Sequence, residues 1–167
     1  IWRHILNSAG IERFPQYHFD MVRLGIGLHG ISATHANLQP VSSFKTYISS
    51  IRKVPEGQSI GYGRKSYTTR PSRIAVIPVG YADGLNRHLS NRVGNVFIKG
   101  KRVPIIGNIC MDTCMIDVTD TNAAIGDEVE IFGKHILVSE LSEQLGTIPY
   151  EILTGISHRV KRVYYKE

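Results

Sequence analysis

The fold turns on "VGNVFIKGKRVPIIG" (Val93–Gly107). Two short alternating runs flank Lys99, Gly100 and Lys101, and a glycine between two polar residues is a hairpin turn signal, so "FIKGKRV" reads as an antiparallel hairpin with Gly100 in the turn. The same texture extends on both sides. "SFKTYISSIRKV" (Ser43–Val54), "RIAVIPVGYA" (Arg73–Ala82), "CMDTCMIDVT" (Cys110–Thr119) and "GDEVEIFG" (Gly126–Gly133) are short runs bounded by glycine, proline, asparagine or aspartate. Repeated strands with loop signals between them predict a mainly β domain, a closed Greek-key-like β-barrel, from about residue 33 onward.

Residues 1–32 read differently. "IWRHILN" looks like a strand end, "SAGIERF" a short turn with helical character, and "DMVRLGIGLHG" (Asp20–Gly30) a buried, glycine-rich strand. This pattern predicts the last βα units of a truncated (β/α)8 barrel. Towards the other end, "VSELSEQLG" (Val138–Gly146) predicts a helix with Ser139 as N-cap and Gly146 as its stop. "IPYEILTGI" predicts a second helical turn with Pro149 near its first position, and "HRVKRVYY" a terminal strand. The chain opens without a methionine, mid-pattern, as a piece of a longer polypeptide would.

Composition narrows the classes. In 167 residues, 42% hydrophobic and 20% charged describe a soluble chain with a core, and no apolar run reaches the length of a membrane helix. A net charge of +6 keeps anionic partners in view, yet the cations are dispersed and not interleaved with aromatics, which argues against nucleic acid and for small anions such as phosphate or carboxylate. Two cysteines, Cys110 and Cys114, are too few for a disulfide scaffold and point to a reducing cytoplasm. On one strand Cys110, Asp112 and Cys114 would share a face opposite Met111, Thr113 and Met115. With no second cysteine pair and no ligand spacing among the histidines (4, 18, 29, 35, 88, 135 and 158), no metal site is expected.

Several residues invite a chemical reading beside a structural one. Tyr62 lies between Gly61 and Gly63, and Tyr81 follows Gly80; glycine there permits either a bend or a close approach to a ligand. A free phenol ionises near pH 10 and is a poor base at neutral pH unless cations stand beside it. Arg64 would share a strand face with Tyr62. Ser8 in "NSAG" is either part of a capped turn or a hydroxyl for an anion. Arg23 interrupts the apolar run and needs a partner, either Asp20 or a ligand atom.

"NSAG", "FDMVRLGIGLHG", "IGYGRKSYTT", "VGYADG", "GNICMDTCMIDVT", "GDEVEIFG" and "PYEILTGISHRVKRVY" together, in this order and spacing, resemble the carboxy-terminal portion of alanine racemase over nearly the whole chain. The resemblance implies a pyridoxal 5'-phosphate enzyme with two parts here: residues 1–32 as the end of the cofactor-binding barrel, and residues 33–167 as the β-rich C-terminal domain. It implies interconversion of L- and D-alanine for cell-wall peptidoglycan, in a cytoplasmic homodimer with active sites shared between subunits. By position, Tyr62 matches the acid/base on the L side, acting across the interface. Arg23 matches the arginine on the pyridine nitrogen, with His4 behind it. Ser8, Gly25, Ile26 and Tyr150 match the phosphate-binding set. Met111 matches the backbone amide that holds the substrate carboxylate, Tyr81 a wall of the substrate pocket, and Arg87 and Asn108 the entrance.

Two positions depart from the family's common pattern, Asn108 for an arginine and His29 for a tyrosine. No lysine matches the family's Schiff-base lysine, so the chain alone is expected to be inactive. The alternative is a non-catalytic dimerisation or scaffold domain of a fused cell-wall enzyme.

Overall fold

Lys99 and Gly100 have φ of 47° and 78°, the pair of positive values that a two-residue hairpin turn demands. On either side β6 (Asn95–Ile98) and β7 (Lys101–Ile106) pair antiparallel, with Val96 opposite Val103. The structure, a computed structural model, describes residues 1–34 and 37–165, so His35 lies outside the described residues. It divides into two compact units, Ile1–Ser43 and Phe44–Glu167.

In the second unit the hairpin is the middle of a seven-stranded antiparallel sheet. Its further strands are β1 (Phe44–Tyr47), β2 (Ser50–Val54), β5 (Ser72–Ile77), β8 (Cys114–Asp117) and β9 (Glu128–Phe132), in the order β1-β9-β6-β7-β8-β5-β2. A separate ladder joins β3 (Ser59–Ile60) to β4 (Ser66–Tyr67). Side chains alternate across the sheet as the pleat requires: in β8, Cys114 and Ile116 are buried while Met115 and Asp117 are half-buried. Ala75, Ile116 and Ile105 lie in register on three neighbouring strands, and all are at most 1% exposed. Burying one isoleucine side chain stabilises the fold by about 1.5–3 kcal/mol, so such rows carry much of the sheet's stability.

The edge strands β1 and β2 are consecutive in the chain, joined only by Ile48 and Ser49. Ile48 donates to the Asp127 carbonyl near β9 (3.0 Å) and Ser49 to the Val76 carbonyl of β5 (2.9 Å). Two residues can join opposite edges only if the sheet curls back on itself. The expected closed barrel is therefore a curled sheet, in which β1 and β2 are linked covalently and not by a ladder of hydrogen bonds.

Helix α2 (Val138–Gln144) packs inward through Val138 and Leu141, three apart on one face, and α3 (Pro149–Thr154) starts with its proline in the first turn, where no N–H is needed. Leu137, not Ser139, is the N-cap of α2, and no side chain caps it; Ser139 is inside the first turn. Gly146 stops the segment with φ of 64°. Residues 157–165 form no strand, because none of their backbone groups enters a ladder with the described strands.

In the first unit the expected short turn with helical character is a helix, α1 (Ser8–Arg13), capped by the Asn7 side chain on the Gly10 N–H (3.0 Å). The two expected strands reduce to one parallel bridge, His4 to Met21. Asp20–Gly30 is not a covered strand: Arg23, Leu24 and Leu28 are exposed, and Ile26–His29 form a 3₁₀ turn. Among the described residues no helix is long and apolar enough to cross a membrane.

Candidate active site

The ladder of β3 and β4 pairs Ser59 with Tyr67 and Ile60 with Ser66, so Gly61–Lys65 form the tip of a hairpin. Gly61 has φ of 77°, and a Cβ there would meet Met115 Cε at 3.0 Å and the Asn108 backbone nitrogen at 3.3 Å. Both its conformation and the close approach of a neighbouring loop call for glycine. Tyr62 begins a 3₁₀ turn and projects from the tip, 80% exposed. Because the segment turns, Arg64 does not share a strand face with it; its Nε donates to Ser59 Oγ (3.0 Å).

Two further loops meet this tip's neighbourhood. Gly80–Gly84 follows β5, and Gly107–Thr113 links β7 to β8. Tyr81 N–H donates to the Cys110 carbonyl and Ala82 N–H to the Met111 carbonyl, each at 3.0 Å. Gly80 lies so close to this loop that a Cβ would sit 2.3 Å from both carbonyl oxygens. The expected strand over Cys110–Thr113 is instead a turn closed by Cys110 N–H to the Thr113 carbonyl (2.9 Å). Cys110, Asp112 and Cys114 therefore do not line one strand face.

An ion-pair network locks the two loops. Asp83, 9% exposed, accepts from the Gly80 N–H (2.8 Å) and from Arg159 Nε (2.7 Å), and Arg159 Nη2 reaches Asp112 Oδ1 (2.7 Å). Burial alone would raise the Asp83 carboxyl; the hydrogen bonds from Arg159 and Gly80 and the guanidinium charge outweigh it and hold the group below the usual carboxylate range. The same contacts, Asp83 first and then Asp112, push Arg159 upward. Sequence reasoning singled out neither Asp83 nor Arg159. "VGYADG" contains the aspartate, but its partner lies 76 positions away.

Together the loops enclose a cleft of about 700 Å³, lined by Tyr62, Tyr81, Arg87, Asn108 and Met111, with Ile109 and Cys110 beside them. Five residues marked from the sequence thus meet in one place. Among the described residues of that lining Arg87 is the one cation, set on a 3₁₀ turn capped by Asn86 through the His88 N–H (2.9 Å). Two phenols, a carboxamide, a thiol and a guanidinium suit a small polar ligand bearing a carboxylate. Asn108 is buried, and its carboxamide donates to the Tyr62 carbonyl (2.9 Å).

In the first unit, the Ser8 hydroxyl, 3% exposed, accepts from the Gly25 N–H (2.8 Å) and the Gly27 N–H (3.2 Å). Both amides are taken up by the hydroxyl here; turned outward together, a hydroxyl and two backbone amides gathered at one point make a donor set of the kind that fits a phosphate. Arg23 is exposed and not a buried cation: its Nη2 donates to the Ile5 carbonyl (3.0 Å), and Asp20 pairs with Arg3 instead (3.1 Å). His4 contributes its backbone to the bridge with Met21. Tyr150 belongs to the second unit, on α3, and its carbonyl accepts from Thr154 Oγ1 (2.8 Å). Of the cysteines, Cys114 is fully buried and burial pushes its thiol up to about 12, while Cys110 is half-buried. Among the described residues no three His, Cys, Asp or Glu side chains are grouped to hold a metal.

The family model of the alanine racemase C-terminal domain matches residues 41–164. Alanine racemase 2 of Caldanaerobacter subterraneus subsp. tengcongensis is 48% identical over 172 residues, covering 97% of this chain and 44% of that protein. The alanine racemase of Methanococcus maripaludis is 45% identical, with 97% of this chain and 46% of that protein covered. Among solved structures, alanine racemase of Clostridium difficile 630 superposes with a TM-score of 0.92 at 39% identity, covering 98% of this chain and 45% of the other. Alanine racemase from Bartonella henselae, with covalently bound pyridoxal phosphate, gives 0.91 at 37% identity, with 98% and 47% covered. The chain spans less than half the length of these relatives.

Proposed function

The chain belongs to the alanine racemase family, by its C-terminal domain, and on that premise we propose that it is the C-terminal part of a pyridoxal-phosphate-dependent enzyme interconverting L- and D-alanine. The observation that carries the proposal is the cleft in which Tyr62, Tyr81, Arg87, Asn108 and Met111 converge from loops far apart in the chain. When bound, pyridoxal phosphate supplies the electron sink that makes the α-proton of an amino acid removable.

Tyr62 is the acid/base that gives and takes the α-proton on the L side. Its own unit leaves it 80% exposed, which suits a phenol that meets its substrate on another subunit's surface, in a homodimer with shared sites. The backbone N–H of Met111 holds the substrate carboxylate, Tyr81 walls the pocket, and Arg87 and Asn108 stand at its entrance. By the family resemblance, Ser8, Gly25 and Ile26 in the first unit and Tyr150 in the second would hold the phosphate of pyridoxal phosphate, and Arg23, supported by His4, would hold its ring nitrogen. A guanidinium keeps its proton, so Arg23 would orient that nitrogen without protonating it.

The D side needs a lysine that no residue of this chain matches, so residues 1–167 alone are inactive and the reaction belongs to the longer protein, serving peptidoglycan synthesis. The test uses that longer protein, loaded with pyridoxal phosphate, in deuterated water. L- and D-alanine are followed for racemisation and deuterium uptake, beside Tyr62→Phe. Racemisation by the parent and its loss in Tyr62→Phe are expected; full racemisation by Tyr62→Phe, or none by the loaded parent, refutes the proposal.

A further inference from the structure

We infer that Asn108 is the positioning residue for Tyr62, its carboxamide fixing the hairpin tip from which the phenol is presented. The inference rests on the reading of Tyr62 as the L-side acid/base. The problem it answers is mechanical. Tyr62 is 80% exposed and sits between two glycines, Gly61 and Gly63, both with positive φ, on a ladder of two residue pairs. Glycine widens the conformations open to such a tip. An acid/base works only when its proton sits within hydrogen-bond reach of the reacting atom, so the tip needs an anchor.

Asn108 Nδ2 donates to the Tyr62 carbonyl at 2.9 Å, and Asn108 Oδ1 accepts from Asn91 Nδ2 at 3.0 Å. The direction of this relay is unambiguous. A backbone carbonyl can only accept, so the amide nitrogen of Asn108 must face Tyr62, and its oxygen must then face the donor end of Asn91.

The far end of the relay is itself held. Asn91 adopts φ of 56°, a left-handed conformation that asparagine tolerates better than most residues, and its N–H donates to the Gly107 carbonyl (3.0 Å). Ser90 Oγ accepts from the Ile109 N–H (3.0 Å). The 90–91 turn thus grips the chain on both sides of Asn108. Asn108 is 9% exposed, so losing either partner would leave a buried polar group unsatisfied. Because Asn108 lies three residues before Met111 on the same loop, one carboxamide sets the spacing between the phenol and the carboxylate site.

The test compares Asn108→Asp, Asn91→Ala and Tyr62→Phe in the full-length protein loaded with pyridoxal phosphate. Asn108→Asp keeps the acceptor for Asn91 but turns a second oxygen on the Tyr62 carbonyl. Two readouts are taken: deuterium uptake into D-alanine without inversion against conversion to L-alanine, and amide hydrogen exchange across residues 60–66. Asn108→Asp is expected to lower conversion to L-alanine by roughly 10- to 100-fold, as misplacement by about 1 Å does, while uptake into D-alanine persists and residues 60–66 exchange faster. Asn91→Ala, on the exposed side, gives a smaller loss of the same kind and carries the test if Asn108→Asp does not fold.

If Tyr62→Phe loses conversion while both asparagine variants keep it, or if they lower the two reactions equally, the positioning role is overturned and the reading of Tyr62 stands. If Tyr62→Phe converts alanine normally, that reading falls and the inference with it. Unchanged exchange across 60–66 in Asn108→Asp also overturns it.

Discussion

Gly80→Ala sets two physical effects against each other. Gly80 has φ of −140° and ψ of −165°, extended backbone that any residue adopts. On conformational grounds alone alanine would stabilise the protein by about 0.4–1 kcal/mol, since it restricts the unfolded chain. The space around Gly80 says the opposite. A Cβ would lie 2.3 Å from the carbonyl oxygens of Cys110 and Met111, where ordinary contact begins at 3.4 Å, so the loops must part by about 1 Å.

Those same oxygens accept from Tyr81 and Ala82 at 3.0 Å, and an added ångström takes both bonds outside hydrogen-bond range. Two backbone bonds at about 1 kcal/mol each, with about 1–3 kcal/mol for overpacking, exceed the entropic gain and leave a net loss of about 3 kcal/mol. Thermal unfolding followed by circular dichroism should show a Tm lower by roughly 10 °C. Tyr81 and Met111 move with their loops, so on the proposed function racemisation by the full-length protein should fall by up to about 100-fold. Gly126→Ala, with nothing within 4 Å of the added Cβ and φ of 89°, is the control; it carries backbone strain of about 1–2 kcal/mol and leaves racemisation unchanged. A Gly80→Ala protein whose Tm equals or exceeds the parent's would refute the close-approach argument.

Three other perturbations test separate parts of the fold. Asp83 is held below the usual carboxylate range, so its stabilisation is complete above about pH 4 and is lost as pH falls through the lowered folded value; Tm measured from pH 6 to 2 should fall less steeply in Asp83→Asn, and equal slopes would count against the network. Glu130, buried, accepts from the N–H groups of His135 (2.7 Å) and Ile136 (3.2 Å) and pairs with His135 Nδ1 (3.0 Å). Glu130→Gln turns a donor towards one of these donors, and urea unfolding should register a loss of about 1–3 kcal/mol. Cys114, fully buried with its thiol pushed up to about 12, should resist a thiol reagent at pH 8 in the native protein. Of the two thiols in residues 1–167, only Cys110 is expected to react before unfolding and both afterwards; labelling of Cys114 in the native state would contradict its burial.

What was legible in the residues was local or ordered. Gly100 between two polar residues specifies a tight turn with positive φ, and the alternating runs on either side specify strands, because these choices depend on neighbours one to four positions away. Seven motifs in a fixed order identified the family, and matching to it by position marked five of the seven residues that line the cleft. What was not legible depended on partners distant in the chain. Cys110–Thr113 alternates like a strand but is a turn, since its backbone is committed to Gly80–Gly84 instead of a ladder. Ser139 has the chemistry of a cap but sits two residues past the cap position, Leu137. Asp83 and Arg159, 76 positions apart, and Asn108 and Tyr62, 46 apart, show no periodicity that could announce them. Local propensity decides which segments can be strands, turns or helices. Which carbonyl an asparagine reaches, and whether a curled sheet closes by hydrogen bonds or by two residues of chain, is settled only when the whole sheet packs and every buried polar group must find a partner.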